Sequence, residues 1–553
     1  MLSVIQRDAT MQAGLRKDIR PSYSTRQFAI IAILSLVFIF CVRLIKENAL
    51  LHGRQDYSIY MNAALAVAVA LVGSAFLVFR RRAGGAESRP FRPYYLVAIV
   101  PFFVWLTVRE YFGAFDVGAI LYHLSAGMEG SEADPALRQS IVLFSAACFC
   151  VCAALYVLGA HAPKIGTTLN LLAVPVLLFN PLTVQGVYSL SRPVVDLSPG
   201  GPHFAPVKAD PPVASQHPNV IHIYLESTEA TFAKLDGARR AMEPLLRLAR
   251  RGFSATGITQ IEATGWTMAG QVASQCGVPL VFPWAQRVGT HPGENVFMPG
   301  ATCLTDVLSR DGYRTEFVKG FTLAFAGTDA FLRAHKYGQR TGLSDDPSFD
   351  GETSLWGAYD DDMFDFAFDR IERLRQNDSP FYFSLLTNGG HFPHGLIAPS
   401  CGPESGRAGS PLPLVAAIDC TNRLTENFVR KLEKAGLLEN TVVIVQSDHF
   451  IMRNPLGAEL GAHRRSNFFT AFGPGVPKKA ADRRASMVDV YPTILELLGY
   501  DISGHRAALG VSLLSGEPTL IRELGKDELD HSIGAGMELA EALWSSGDGV
   551  AVE

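Results

Sequence analysis

Residues 264–276, TGWTMAGQVASQC, contain several side chains that could act as nucleophiles. They are Thr264, Thr267, Ser274 and Cys276. The stretch has no acidic, basic or histidine side chain, so the group that activates a nucleophile must come from elsewhere in the fold. A bound metal ion is one such group, because it lowers the pKa of a hydroxyl that coordinates it.

Polar side chains follow three apolar stretches, NVIHIYLES, PFYFSLLTN and NTVVIVQSD. Glu226 ends the first, His391 follows the second, and Asp448 and His449 follow the third. Unbroken apolar runs are typical of parallel strands buried on both faces, and ligands bind beyond the carboxyl ends of such strands. We therefore expect these four side chains to share one crevice. Carboxylates with an imidazole suit Mn²⁺, Mg²⁺ or Zn²⁺.

The elements that must position these residues indicate an α/β domain. Residues 218–520 alternate short apolar strands with helical segments, which predicts a mostly parallel central sheet. We expect helices at 239–251, 359–376, 419–436 and 487–499. The Pro-rich segment 189–217 has the composition of a linker, and residues 521–553 are expected to form a peripheral C-terminal tail.

The first third of the chain has the composition of a membrane domain. Apolar runs occur at 27–45, 61–79, 94–112, 140–159 and 167–187, within a sequence of 553 residues that is 48% hydrophobic. Each run is close to the roughly 20 residues that cross a bilayer. The sequence therefore predicts a cytoplasmic segment at 1–26 and five transmembrane helices within 27–188.

The distribution of basic residues predicts the orientation of these helices. Lys and Arg are frequent before the first run and between the second and third, at Arg7, Arg16, Lys17, Arg20, Arg26, Arg80, Arg81, Arg82, Arg89 and Arg92. The positive-inside rule places these segments in the cytoplasm, so with five spans the chain after residue 188 is expected on the outer side of the membrane. A net charge of −4, without a basic aromatic patch, argues against binding of nucleic acid.

Cysteines of the outer part are even in number, as expected in an oxidising compartment. They are Cys276, Cys303, Cys401 and Cys420. Proximity in sequence favours the pairs Cys276–Cys303 and Cys401–Cys420, although the other pairings stay open. A zinc site is the alternative, but the chain lacks the CxxC or CxxH spacing that would support it.

Several motifs resemble the sulfatase-like branch of the alkaline phosphatase superfamily. They are LESTEATF, GWT, NGGHFPH, QSDH and MVDVYPTILELLG. Five spans joined to an outer catalytic domain resemble the lipoteichoic acid synthases and phosphoglycerol transferases of that branch. The stretch TGWTMAGQVASQCGVPL is most similar to the phosphoglycerol transferases that modify osmoregulated periplasmic glucans.

This resemblance implies a metal site and a nucleophile. Glu226, Asp448 and His449 would bind one divalent cation, Mn²⁺ or Mg²⁺, and Thr267 would be its fourth ligand and the nucleophile. His391 would contact the substrate phosphoglycerol, although Gly389 and Gly390 interrupt the Asn-His-x-Pro pattern of the family. Thr264 stays open as the alternative nucleophile.

Further substrate contacts are implied at Lys319, Phe325 and Trp356. Arg464 is either a phosphate-binding residue or part of a solvated loop. The Arg and Trp that lipoteichoic acid synthases use have no match in FTLAFAGTD, residues 321–329. That difference argues against a polymerase of glycerol phosphate chains.

The implied reaction has two steps. Thr267 attacks the head-group phosphorus of phosphatidylglycerol and displaces diacylglycerol. A hydroxyl of a periplasmic glucan, or of another polyol acceptor, then attacks the phosphoglycerol-threonine. The oligomeric state stays open.

Other functions are weighed against this one. A sulfatase needs a Cys or Ser in a C/S-x-P-x-R context, but Thr267 precedes MAGQ. A phosphoethanolamine transferase shares the spans and the threonine, but its disulfide-dense domain is not matched. A non-catalytic, membrane-anchored binding protein would be expected to have lost a ligand of the metal site, whereas Glu226, Thr267, Asp448 and His449 are all present.

Overall fold

A computed structural model describes most of the chain after residue 190. The described residues are 122–123, 142, 145–146, 148–153, 155–156, 170, 191–212, 217–283, 297–392, 394–402, 412–452 and 454–545. The predicted spans at 27–45, 61–79 and 94–112 lie outside these residues, the span at 140–159 lies partly outside them, and the span at 167–187 is described only at residue 170. Within the described parts, the structure contains no helix that is both long and apolar enough to cross a membrane.

The chain divides into two compact units. One comprises Met1–Tyr111 and Ala136–Val187, and the few residues described in it are helical. The other comprises Phe112–Pro135 and Tyr188–Glu553. The second unit therefore includes a segment that the sequence places between the third and fourth predicted spans.

An eight-stranded sheet forms the centre of the second unit, with the order β11-β3-β10-β9-β2-β8-β4-β5. Every strand pair is parallel except those of β10, which is antiparallel to β3 and β9. The prediction of a mostly parallel sheet is thus confirmed. The strands are β2 (Asn219–Leu225), β3 (Phe253–Thr259), β4 (Arg314–Lys319), β5 (Gln339–Gly342), β8 (Phe381–Leu386), β9 (Thr441–Ser447), β10 (Phe469–Phe472) and β11 (Lys479–Ser486).

Helices cover both faces of the sheet, which makes three layers. The α-helices are α1 (Glu243–Ala249), α2 (Thr267–Cys276), α3 (Leu304–Arg310), α4 (Thr328–Ala334), α5 (Asp360–Arg375), α6 (Pro413–Lys434), α7 (Gly457–Gly461), α8 (Val490–Leu497), α9 (Leu520–Glu523), α10 (Lys526–Ala535) and α11 (Met537–Trp544). Residues of α2, α3 and α8 belong to one hydrophobic core, and residues of α1, α5 and α6 to a second.

The strand β2 shows why the two cores lie on opposite faces. Side chains alternate across a strand, and Val220 and Tyr224 belong to the first core whereas Ile221 and Ile223 belong to the second. Every residue of β2, β8 and β9 is buried. This two-sided burial is the physical reason that the three strands lack the polar alternation of a half-exposed sheet.

Six two-residue strands form three small pairs outside the central sheet. They are β1 (Ala209–Asp210), β6 (Thr353–Ser354), β7 (Gly357–Ala358), β12 (Asp501–Ile502), β13 (Arg506–Ala507) and β14 (Gly510–Val511). The strand β1 pairs with β12, and the amide of Ala205 donates to the carbonyl of Ala508 at 2.8 Å. The second half of the predicted linker is therefore packed on the domain.

The C-terminal segment differs from its prediction as a peripheral tail. In α11, Leu543 and Trp544 are buried in the first core. Trp544 Nε1 donates to the carbonyl of Val281 at 2.7 Å, and the amide of Gly300 donates to the carbonyl of Leu543 at 3.0 Å. The prediction is wrong for residues 526–545, because α10 and α11 are short amphipathic helices whose apolar positions are too few to stand out in sequence.

Candidate active site

The predicted metal ligands converge at one edge of the sheet. The strands β2 and β9 are parallel neighbours with Leu225 opposite Ser447, so the residues that follow them emerge side by side. His449 Nε2 lies 3.3 Å from Glu226 Oε1 and 3.4 Å from Asp448 Oδ2. One ligand atom from each of these three buried residues lies within 4.8 Å of the others.

The chemistry of this cluster fits a divalent cation. Asp448 Oδ2 is buried and accepts no hydrogen bond from the described residues. Burial, and then the charge of Glu226, raise the pKa of Asp448 well above its usual range. Burial lowers the pKa of His449, but the charges of Asp448 and Glu226 outweigh it and raise this pKa to about 9. The single imidazole of His449 supplies too little positive charge to balance the two buried carboxylates, and a bound cation would supply the rest.

Thr267 is placed against this cluster by the start of helix α2. Trp266, the residue before the helix, is extended, with φ −144° and ψ 165°. Thr267 Oγ1 donates to Glu226 Oε2 at 3.2 Å and lies 3.5 Å from His449 Nε2. The amino terminus of a helix also carries partial positive charge, which favours an oxygen anion or a phosphate at this position.

The structure separates the two candidate threonines. Thr264 Oγ1 donates to the carbonyl of Ile261 at 2.7 Å and accepts from the amide of the same residue at 3.1 Å. Its hydroxyl therefore stabilises a buried turn before the helix. Only Thr267, of the two, contacts the carboxylate and imidazole groups.

His391 lies beside the cluster on the loop after β8. A Cβ added to Gly390 would come within 1.8 Å of the carbonyl oxygen of Glu226, so this loop packs directly on the metal-site backbone. The ring of His391 stacks on Trp356 with centroids 3.7 Å apart. The structure thus brings His391 and Trp356, two of the predicted substrate-binding residues, to the same edge of the sheet as the cluster.

Asp360 holds this loop in place, a role that the sequence did not reveal. It is the first residue of α5, within the helix predicted at 359–376, but its side chain is buried. Its Oδ1 accepts from the amide of Asn388 at 2.7 Å, and its Oδ2 accepts from the amide of Gly389 at 3.1 Å and from Thr421 Oγ1 at 2.6 Å. Only the fold brings these distant residues together, so sequence carries no local signal for the contact.

Lys319 ends β4 next to a group of aromatic rings. Its buried Nζ donates to Thr328 Oγ1 at 3.0 Å and lies 5.8 Å from the ring centroid of Phe325. Burial lowers the pKa of Lys319 to about 7. Phe325 and the unpredicted Phe321 each contact Trp356, with centroids 5.7 and 5.4 Å apart.

Arg464 has no contact that places it in the site. Its side chain is exposed, and a Cβ on Gly257 of β3 would come within 2.4 Å of its Nη2. In the described part of the chain, no hydrogen bond or ion pair links its guanidinium to the metal cluster. The next residue, Arg465, instead pairs with the buried carboxylate of Glu229. A phosphate-binding role for Arg464 stays a prediction.

Both predicted disulfides form, Cys276–Cys303 and Cys401–Cys420. The first joins the last residue of α2 to the start of α3. Cys276 is therefore not a nucleophile in this structure. The second joins the turn Pro399–Cys401, which follows the His391 loop, to α6.

Comparison with known proteins indicates the family of the chain. The sulfatase family pattern matches residues 218–500, a little over half of the chain. Phosphoglycerol transferase I of Salmonella agona (strain SL483) is 32% identical over 328 residues, which are 58% of this chain and 42% of that protein. Phosphoglycerol transferase I of Citrobacter koseri is 30% identical over 441 residues, 76% of this chain and 56% of that protein. The chain thus spans about half the length of these curated relatives.

Solved structures to which the chain shows some similarity include a protein in the alkaline phosphatase superfamily from Vibrio parahaemolyticus. It is 22% identical, with a TM-score of 0.44, and the match covers 60% of this chain and 77% of that one. Another is the lipoteichoic acid synthase LtaP from Listeria monocytogenes, 14% identical with a TM-score of 0.44, covering 63% and 95%. The extent of the family match decides the assignment: this chain belongs to the sulfatase family.

Proposed function

We propose that the protein transfers phosphoglycerol from phosphatidylglycerol to an acceptor hydroxyl through an ester on Thr267, with release of diacylglycerol. The observation that carries the proposal is the position of Thr267 Oγ1, 3.2 Å from Glu226 Oε2 at the start of helix α2. The relatives named phosphoglycerol transferase I support the choice of transferred group.

The first step exchanges one phosphate ester for another. A bond forms between Thr267 Oγ1 and phosphorus as the bond from phosphorus to the diacylglycerol oxygen breaks. The hydroxyl of Thr267 already points its proton at Glu226 Oε2. The proton lost from threonine ends on diacylglycerol, so atoms and charge balance. In the second step the acceptor oxygen displaces Thr267, which regains a proton.

Glu226, Asp448, His449 and Thr267 would hold one divalent cation, Mn²⁺ or Mg²⁺. When bound, it would lower the pKa of the threonine hydroxyl and stabilise charge on the phosphoryl oxygens. The orientation of one of these carboxylates is fixed by the backbone and does not depend on a cation. The amide of Ser227 and the amide of His449 donate to Asp448 Oδ1 at 2.9 and 2.7 Å, which fixes the orientation of that carboxylate.

Lys319 supports an anionic donor over a zwitterionic one. In its protonated form it would pair with the phosphate of phosphatidylglycerol, whose glycerol head group carries no positive charge of its own. An ethanolamine head group would bring an ammonium towards the same buried cation, and like charges repel there. Trp356 and His391 offer a stacked surface for the glycerol part.

A threonine nucleophile also distinguishes this proposal from sulfate ester hydrolysis. Sulfatase chemistry requires an aldehyde-bearing residue matured from Cys or Ser, and Thr267 occupies the corresponding place here. For the acceptor we propose a periplasmic glucan or another polyol. The predicted membrane spans would hold the catalytic domain near its lipid donor, on the outer side of the cytoplasmic membrane.

The test is a covalent trap on the full chain. The purified protein is incubated with Mn²⁺ and vesicles whose phosphatidylglycerol is labelled in the head group, and its peptides are mapped by mass spectrometry. We expect phosphoglycerol on Thr267 and none in Thr267→Ala. Ser274→Ala is the matched control, because Ser274 is a hydroxyl of the same helix that donates to the carbonyl of Gly270. Turnover of lipid by Thr267→Ala would refute the mechanism.

A further inference from the structure

Tyr122 lies inside the catalytic unit although it precedes the catalytic domain by a long stretch of sequence. It belongs to Phe112–Pro135, the segment assigned to the same compact unit as Tyr188–Glu553. Its side chain is fully buried. The ring contacts Phe282 and Phe297 edge-on, with centroids 5.8 and 6.2 Å apart. Tyr122 is therefore part of the domain core.

On one side, Tyr122 contacts the segment that carries the nucleophile. Its ring centroid lies 6.3 Å from that of Trp266, and the neighbouring His123 lies 6.1 Å from the same indole. Trp266 is the residue directly before Thr267. A shift of Tyr122 would thus reach the start of helix α2 through one buried ring contact.

On the other side, Tyr122 contacts a turn, residues 325–328, that is hydrogen-bonded to Lys319. Its hydroxyl donates to the carbonyl of Ala326 at 2.6 Å. Ala326 has a φ of 54°, in the left-handed region that alanine disfavours, so the turn needs outside contacts to keep this shape. The turn ends at Thr328, whose hydroxyl donates to the carbonyl of Phe325 at 2.8 Å and receives the bond from Lys319.

We propose that Tyr122 is a positioning residue for donor binding, which keeps the 325–328 turn, and through it Lys319, in the conformation that receives the anionic head group. This inference rests on the proposed function, because it assigns Lys319 to the phosphate of the donor. It adds that Tyr122, a residue outside the matched range 218–500, supports the substrate site. If residues 27–188 cross the membrane as predicted, an even number of crossings must separate Tyr122 from the domain.

The test uses the full chain and Tyr122→Phe, which keeps the ring and removes only the hydroxyl. We expect KM for phosphatidylglycerol to rise about fivefold, the effect of one lost hydrogen bond, with kcat within about twofold of the wild type. In an Ala326→Gly background the effect of Tyr122→Phe on KM should shrink, because glycine adopts the left-handed backbone without strain. Equal effects on KM in both backgrounds would contradict a role through that turn.

Tyr313→Phe is the matched control. Its hydroxyl donates to the carbonyl of Pro218 at 2.9 Å, also buried, but at the amino-terminal edge of β4, opposite Lys319. Both variants should lose similar thermal stability, and only Tyr122→Phe should change KM. A rise in KM in Tyr313→Phe as well would assign the effect to general loosening and overturn the proposal.

Hydrogen exchange gives a readout that does not depend on turnover. Amides of residues 325–328 should exchange faster in Tyr122→Phe than in the wild type or Tyr313→Phe. If they do and no variant transfers phosphoglycerol, the proposed function fails while the contact stands. If the wild type transfers phosphoglycerol but Tyr122→Phe changes neither exchange nor KM, the positioning role is refuted and the proposed function survives.

Discussion

Gly270 of helix α2 packs against the backbone of Asp448, so closely that a Cβ on it would come within 1.9 Å of the Asp448 carbonyl oxygen. Asp448 follows strand β9, and α2 begins three residues before Gly270 at Thr267. The contact therefore sets the distance between Thr267, the proposed nucleophile, and Asp448, a proposed metal ligand. Only a residue without a side chain allows this approach.

Gly270→Ala should separate these two elements. Overpacking of this kind costs about 1–3 kcal/mol, which exceeds the gain of about 1 kcal/mol that alanine brings to a helix interior. We expect a lower melting temperature and a loss of most transfer activity. Gly457→Ala is the matched control, since Gly457 also lies in a helix and has nothing within 4 Å of its added Cβ. Full activity in Gly270→Ala would show that the spacing does not matter.

Asp448→Asn should change the response of stability to metal. The substitution keeps the oxygen that accepts from Ser227 and His449 but replaces Oδ2, which accepts no hydrogen bond and belongs to a carboxyl group whose pKa is raised by burial and by Glu226. Without a cation, folding buries this carboxyl group at a cost in free energy that a neutral amide avoids. In a chelator we therefore expect the variant to unfold at a higher temperature than the wild type. With Mn²⁺ at about 100 times its Kd the wild type should gain about 2.7 kcal/mol, and the order should reverse.

The measurement is a thermal melt of both proteins with EDTA and with Mn²⁺. A wild type whose melting temperature ignores Mn²⁺ would contradict a metal site at Glu226, Asp448 and His449. Asp482→Asn serves as a control for charge alone, because Asp482 lies exposed on β11. It should shift the melting temperature equally little in both conditions.

The convergence of the predicted metal ligands could be predicted from sequence, because buried parallel strands have a recognisable pattern of unbroken apolar residues. Three stretches rich in Val, Ile, Leu and Phe end in Glu226, in the loop before His391 and in Asp448, and the fold places β8, β2 and β9 next to each other. The partner of each strand was not predictable, but every order of parallel strands brings their carboxyl ends to one edge.

Other elements could not be predicted, because their sequence patterns are weak or because they depend on contacts between residues far apart in the chain. The strands β4, RTEFVK, and β5, QRTG, are too polar to be recognised, since they lie towards one edge of the sheet. Asp360 and Tyr122 act through residues far away in sequence, and only the tertiary fold brings them together. The choice between Thr264 and Thr267 also required geometry, because both hydroxyls lie in one short stretch.

Lys319 predicts how donor recognition depends on pH. Because burial lowers its pKa to about 7, the amine loses its charge as pH rises through neutrality. If the charged form binds the head group, kcat/KM for phosphatidylglycerol should fall about tenfold per pH unit above 7. Lys319→Gln should lower kcat/KM and remove this limb, while Lys431→Gln, at a half-exposed lysine paired with Asp365, should keep it.

Lys319 also predicts how the free energy of unfolding depends on pH, and this dependence has the opposite direction to that of kcat/KM. Between about 7 and the pKa of an unfolded lysine, about 10.4, the unfolded chain binds more protons at this site than the folded one. Lys319 therefore makes the free energy of unfolding rise with pH across that window. Urea titrations of the wild type and Lys319→Gln at pH 7 and 9 test this. If the two proteins differ in free energy of unfolding by the same amount at pH 7 and pH 9, the pKa of Lys319 is not lowered to about 7.

Asp360→Asn tests the support of the His391 loop. The carboxylate accepts three hydrogen bonds, from the amides of Asn388 and Gly389 and from the hydroxyl of Thr421. An asparagine side chain must turn its NH₂ group towards at least one of these donors, which leaves a buried donor unpaired at a cost of about 1–3 kcal/mol. We expect lower stability and a displaced loop, so that His391 no longer stacks on Trp356.

The kinetic consequence separates this role from a helix cap. A lost cap would lower stability alone, whereas a displaced His391 should also lower kcat/KM for the lipid donor by about tenfold or more. Asp369→Asn, at an exposed carboxylate of the same helix, should change neither. If Glu226, Asp448 and His449 bind Mn²⁺ as proposed, the affinity for Mn²⁺ should stay near the wild-type value in Asp360→Asn. Loss of metal binding together with activity would mean that Asp360 supports the whole sheet edge and not this loop alone.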